Sequence, residues 1–288
     1  MTVRFDNTGI ENPSLEFDRG VAAIDVFTLN KAGLRVDELG FDIQLPEPAD
    51  VVVPHIFDEL CVVEVDPGPT VTVTIDTQKM RWAVDGDDVD RSCFSDYTNT
   101  VRYAVRFDDQ NVFLIDGLGV TAIPTKLPDG RGLSMWFAEV PLDQLRALGF
   151  YDLHAMAGDL TTRITRREYD QLLPVDWLTV PAQQIRWQRQ MTEILSVNQP
   201  QIEDICQRAF MALDETGVRV KAETEMRCGG IPPDWQPPTF YEFGAKHPVI
   251  MWLTEPGSVL PFAVIATTAE AWLDLDARVS FADSEFTK

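Results

Sequence analysis

The feature that most constrains this chain is a two-residue periodicity running through Pro69–Ile123. Val71, Val73 and Ile75 alternate with Thr70, Thr72 and Thr74. An extended backbone puts successive side chains on opposite faces, so the branched apolar residues form one surface and the hydroxyls the other. Met80, Trp82 and Val84 repeat the pattern, and Val101, Tyr103, Val105 and Phe107 repeat it against Arg102, Ala104 and Arg106. Asp108-Asp109-Gln110-Asn111 reads as a turn, with Val112–Ile115 returning as a separate strand. A core of three or four adjacent strands follows. Each Val, Ile or Phe buried on its inward face contributes roughly 1.5–3 kcal/mol.

A chain of 288 residues suffices for one large domain or two ordinary ones. With 45% hydrophobic and 24% charged residues it has the composition of a folded globular protein. Its formal charge of −22 opposes direct contact with nucleic acid or an anionic membrane surface. Lysine is scarce, at positions 31, 79, 126, 221, 246 and 288, so arginine carries most of the positive charge. Cys61, Cys93, Cys206 and Cys228 are too far apart for a metal or redox motif, and read as free thiols of a reducing compartment. Met1–Asp6 lacks the apolar core of a secretory signal, and Val249–Thr268 is broken by Glu255, Pro256 and Pro261. A soluble protein made in the cytoplasm is expected.

Residues 1–66 read as strands and loops without a helix of any length, Val21–Leu29 being one extended run and His55–Leu60 at most a short helical turn. Beyond a turn at Pro128-Asp129-Gly130 and a strand at Leu133–Val140, the pattern changes. Helices are expected at 141–149, Thr165–Leu173, Pro181–Val197 and Ile202–Leu213. The last two rest on the stripes Trp187/Met191/Ile194/Leu195 and Ile202/Ile205/Cys206/Ala209/Phe210/Leu213. A strand at Val218–Glu223, a proline-rich segment at Cys228–Pro238 and further strands at Phe240–Phe243, Val249–Leu253, Val259–Ile265 and Trp272–Leu275 complete the chain. Segregated strands and helices predict an α+β fold. Its mostly antiparallel sheet, sandwich or barrel-like, carries a helical insertion at about 141–216. A β-rich segment 1–140 is followed by 141–288, either as two domains or as one continuous domain.

Gly117-Leu118-Gly119-Val120-Thr121-Ala122 resembles a dinucleotide glycine motif in spelling, but Pro124 and Pro128 forbid the helix such a site needs, leaving a turn. Asp85, Asp87 and Asp90 form the densest carboxylate run and are the candidate metal ligands, set against a solvated hairpin tip. His154, near Asp152 and Asp159, is the candidate acid–base residue. Arg163, Arg166 and Arg167 stand out in so acidic a chain as a grip for an acidic partner, against the plainer reading of a balanced helix face. Among the tryptophans 177, 187, 235 and 252, Trp235 is the expected interface anchor, flanked by Pro232, Pro233, Pro237 and Pro238. With no assembled catalytic set and no cofactor implied, the leading expectation is a non-enzymatic structural subunit. It would belong to an oligomer or hetero-assembly, plausibly a virion (capsid, connector or tail), and act through protein contacts. A metal- or His-dependent hydrolase and an acidic inhibitor mimicking nucleic acid are the competing readings.

Overall fold

The computed structural model describes residues 4–5, 12, 14–39, 48–49, 54–66, 70–84, 89–190, 206–215 and 239–281. The N-terminal elements are β1 (Arg4–Phe5), β2 (Val21–Ile24), α1 (Val26–Glu38), β3 (Pro48–Ala49), α2 (His55–Glu59), β4 (Cys61–Asp66) and β5 (Thr70–Ile75). The central ones are β6 (Arg81–Trp82), β7 (Val89–Ser95), β8 (Val101–Ile115), β9 (Leu118–Lys126), β10 (Gly132–Glu139), α3 (Leu142–Arg146) and α4 (Phe150–Thr165). After them come β11 (Gln171–Pro181), β12 (Gln183–Gln190), β13 (Cys206–Leu213), β14 (Phe240–Glu242), β15 (Val249–Thr254) and β16 (Phe262–Thr267).

A ten-stranded sheet dominates, in the order β14-β11-β8-β9-β10-β15-β16-β2, with β7 beside β8 and β6 beside β9. Every pairing in it is antiparallel except β11 with β14. The fold is therefore α+β with a large, mostly antiparallel sheet and few helices. The hairpins β4–β5 and β12–β13 pair separately from it.

Strand β8 is the hub. One of its sides is lined by β11, and the other by β7 along its first half and β9 at its end. The turn expected at Asp108–Asn111 is absent, and Val101–Ile115 is one strand. Asp109 alone takes a left-handed backbone, φ 51°, and the register with β11 is the same on either side of it. Asx residues tolerate that conformation, which is how the turn-forming composition fits into a strand. The reversal comes instead at Asp116-Gly117, both with positive φ, in a two-residue hairpin turn. Pro124 lies in β9 beyond the residues paired with β8, and its carbonyl accepts Ala83 N–H at 2.8 Å.

All six residues of β15, Val249–Thr254, are buried, as a strand covered on both faces requires. Trp136 and Trp252 stand opposite one another and stack, 5.8 Å between centroids. Trp252 Nε1 donates to Thr161 Oγ1 of α4 at 2.9 Å, fixing that helix on the sheet. Helix α1 covers a cluster of Phe27, Phe57 and Phe262.

Several expectations are corrected. Val26–Glu38 is a helix, because Val26, Phe27, Leu29 and Gly33 return to one buried side at helical spacing. The helical insertion expected at 141–216 ends at Thr165, and the helix foreseen at Thr165–Leu173 is displaced by β11. The stretches expected as helices at Pro181–Val197 and Ile202–Leu213 contribute β12 and β13. Their inward rows are Gln183, Ile185, Trp187 and Gln207, Ala209, Met211, Leu213, which pair across the hairpin and alternate at period two. Met191, Ile194, Leu195, Ile202 and Ile205, which supported the helical stripes, lie outside the described residues, as do Val218–Glu223 and Cys228–Pro238. Trp272–Leu275 makes single bridges rather than a strand.

Candidate protein-recognition site

Three groups of described residues lie at the β2–α1 junction, in the β4–β5 hairpin, and flanking the stretch between β13 and β14. The first is the β2–α1 junction. Asp25 Oδ1 accepts from Phe27 N–H at 3.0 Å and Thr28 N–H at 3.5 Å, and its other oxygen accepts from Thr28 Oγ1 at 2.8 Å, so the side chain caps the helix. Burial nevertheless pushes its pKa up to about 6, outweighing those three hydrogen bonds. The amide of Gln207 then grips the Asp25 peptide from both sides. Asp25 N–H donates to Gln207 Oε1 at 3.1 Å, and Gln207 Nε2 donates to Asp25 O at 2.6 Å. Strand β13 is thereby tied to the residue that caps the helix.

The second group is the β4–β5 hairpin, whose β5 strand packs on α1. Val71, Val73 and Ile75 are its half-buried row, and the threonines face out, as the alternation dictates. Lys31 of α1 pairs with Asp58 of α2 at 2.5 Å, closing the other end. Thus β5 packs on α1 and β13 is tied to the residue that caps it, and among the described residues each strand is hydrogen-bonded to one neighbouring strand, β4 and β12 respectively.

The third group fixes the two ends of the connection. Where β13 ends, Trp82 Nε1 donates to Asp214 O at 3.0 Å. Where the chain returns, Asp176 accepts from Thr239 N–H at 2.6 Å and Thr239 Oγ1 at 2.8 Å. These bonds hold the Asp176 carboxyl below its usual range. Glu139, buried in β10, then accepts from Tyr241 Oη at 2.9 Å, Gly244 N–H at 2.9 Å and Lys246 N–H at 3.4 Å. Burial and the Glu139 carboxylate together push the Tyr241 phenol far up. Gly119 makes this possible, because a β-carbon there would overlap the Tyr241 hydroxyl.

The residues singled out from sequence fall elsewhere. Asp85 and Asp87 lie outside the described residues, and Asp90 is engaged by Arg106 at 2.7 Å. No group of three His, Cys, Asp or Glu suited to a metal occurs among the described residues. His154 is in the core against Phe27, and burial alone drives its pKa down to about 3, so it is neutral at pH 7. Its neighbour in sequence Asp152 serves the helix end, accepting from Gly149 N–H and Asn12 Nδ2. The expected acid–base pair is therefore not assembled. Arg163 pairs with Asp116 across to the β8–β9 turn, while Arg166 and Arg167 end α4 in solvent. Trp235, Pro232, Pro233, Pro237 and Pro238 lie outside the described residues. His55 sits, largely exposed, at the rim of an open cleft of about 530 Å³ with Asp58, Glu255 and Ser258. Glu255 accepts from Ile56 N–H there, capping α2. Asp25, Gln207, Glu139 and Tyr241 were not foreseen; only Asp25, three residues before Thr28 at the head of a helical stripe, carries a recognisable local signal.

No protein-family profile matches the chain, and no curated protein matches it. Among solved structures it is similar to the thermophilic serpin tengpin in its native state, with 12% identity and TM-score 0.40, over 69% of this chain and 54% of that one. It is also similar to Arabidopsis AtSerpin1, with 14% identity and TM-score 0.37, over 65% and 53%. A third is SRPN18 from Anopheles gambiae, with 13% identity and TM-score 0.42, over 84% and 65%. The chain thus spans about half to two thirds of the length of these structures. All three are serpins, which lends nothing to the expected virion or assembly subunit, and that expectation is corrected. Among the described residues no helix is long and apolar enough to cross a membrane.

Proposed function

We propose that this chain is a non-catalytic recognition protein of the inhibitor kind. The connection 216–238, with Trp235 and its flanking prolines, meets a partner protein, and is afterwards taken up as an added strand between β5 and β13. One observation carries the reading: of two separate hairpins, one packs β5 on α1 and the other ties β13 to Asp25, the residue that caps α1, each strand has a single strand partner among the described residues, and the connection begins where β13 ends. A sheet edge of this kind accepts an extended peptide through main-chain hydrogen bonds. Long connections in compact folds are usually functional, and this one is held at both ends by buried or charged contacts. A proteolytic enzyme, which binds its substrates as extended peptides, is the partner class this reading assigns.

In this reading the hairpins, α1 and the large sheet form sandwich-like layers, since α1 touches both β5 and β16. The segments 1–140 and 141–288 act as one unit, β10 being paired with β15. Trypsin can cut the connection after Arg219, Lys221 or Arg227. The nicked protein, its two fragments still associated, is expected to melt on the order of 10 °C higher than the intact one, as several kcal/mol of new strand pairing and burial would give. An unchanged or lowered melting temperature overturns the proposal.

A further inference from the structure

The large sheet carries a lateral row of side chains at its β14 edge. Phe240 of β14 stands opposite Trp177 of β11, Trp177 opposite Asp108 of β8, and, two residues back along β8, Arg106 stands opposite Asp90 of β7. Residues opposite one another in a ladder share a face, as do residues two apart in a strand, so all five project from the same side. Phe240 is 57% exposed, and its ring stacks on Trp177 with centroids 6.0 Å apart and planes 17° apart. The Arg106 guanidinium lies over the Trp177 ring at 5.9 Å. It is held from beyond by Asp90 at 2.7 Å and Asp108 at 3.1 Å. One cation between two carboxylates leaves this patch net negative.

Core packing does not account for the pair, because among the described residues β14 is the edge strand of the sheet and Phe240 is 57% exposed. What the arrangement presents is a rigid aromatic platform with one cation already placed over its inner ring, carboxylates behind it, and the outer ring open.

We propose that Trp177 and Phe240, backed by Asp90 and Asp108, form a docking subsite for a basic side chain of the partner protein. The incoming arginine or lysine lies over the Phe240 ring, continuing the alternation of cations and rings that Arg106 begins. Its backbone runs along the outer edge of β14. A chain of charge −22 draws partners with basic surfaces, and this platform gives that attraction a defined seat. The subsite rests on the proposed function for the identity of its partner, the protein met by the connection that re-enters the sheet next to Phe240.

The probe is the peptide acetyl-Arg-Val-Arg-Val-Arg-amide, titrated into the full chain by calorimetry and by NMR of the tryptophan indoles. Its control replaces every arginine by citrulline, which keeps the shape and removes the charge. Saturable binding is expected, absent with citrulline, weakened about threefold to tenfold by Phe240→Ala and by a smaller factor by Asp90→Asn. Phe240→Ala removes an exposed ring, so its melting temperature serves as the check that the fold is intact. The proposal is overturned by absence of saturable binding, by equal binding of the citrulline peptide, or by full binding to a folded Phe240→Ala chain. Gain of stability on cleavage is read separately. If the peptide fails while cleavage still stabilises, the platform is wrong and strand uptake stands; the reverse result removes strand uptake and keeps the platform.

Discussion

Asp25 shows how a single side chain can serve geometry and oppose stability together. It caps α1 and offers its peptide to Gln207, yet it does so where a charge is poorly solvated. Its folded pKa of about 6 lies above the ordinary 3.8, so the folded state holds the proton more tightly. That contribution is present below about pH 4 and is lost as pH rises to 6, reaching about 2–3 kcal/mol. Asp25→Asn keeps the cap and removes the charge. It should melt like the parent at pH 4 and be more stable at pH 7.5, and equal stability at both would refute the assignment. A second residue-scale expectation concerns Arg167, whose φ of 59° closes α4 with Arg167 N–H to Ile164 O and Glu168 N–H to Arg163 O. Glycine suits that position better than any residue with a β-carbon. Arg167→Gly should therefore stabilise by about 0.5–1 kcal/mol by urea titration, less whatever the looser unfolded chain takes back. The cap at Asp25 was legible from an acid before a helical stripe. The Gln207 clasp was not, because its partner is far away in sequence.

Among the elements, the strands with one strict period were readable and those with two competing periods were not. Thr70–Ile75 alternates without exception and is β5. Gln183–Gln190 alternates as well, but continues into Met191, Ile194 and Leu195, which complete a helical stripe with Trp187. Pairing with β13 decides for the strand, a long-range term that no local window contains. Strand β8 shows the opposite error, since four turn-forming residues are carried through by β11 alongside. The lock on β14 is likewise a product of distant chain. Glu139→Gln keeps the shape and one acceptor while removing the charge that three donors share. A loss of about 1.5–3 kcal/mol is expected by denaturant unfolding. Gly119→Ala should cost a similar amount by displacing Tyr241, and should leave little further loss when combined with Tyr241→Phe.

For the whole molecule, composition foretold a folded chain and the residue pattern an α+β one, and no motif foretold a use. The proposed site is not a cluster of reactive groups but a relation between two hairpins, the capped end of one helix and the stretch of chain that follows β13. The most direct measurement is hydrogen exchange at the amides of β5 and β13, before and after the connection is cut at Arg219, Lys221 or Arg227. Strand uptake predicts that amides at every second position of Val71–Ile75 and Gln207–Leu213 become strongly protected in the cut protein, while β8 and β15 stay as they were. Exchange rates in β5 and β13 that are the same in intact and cut protein would contradict it.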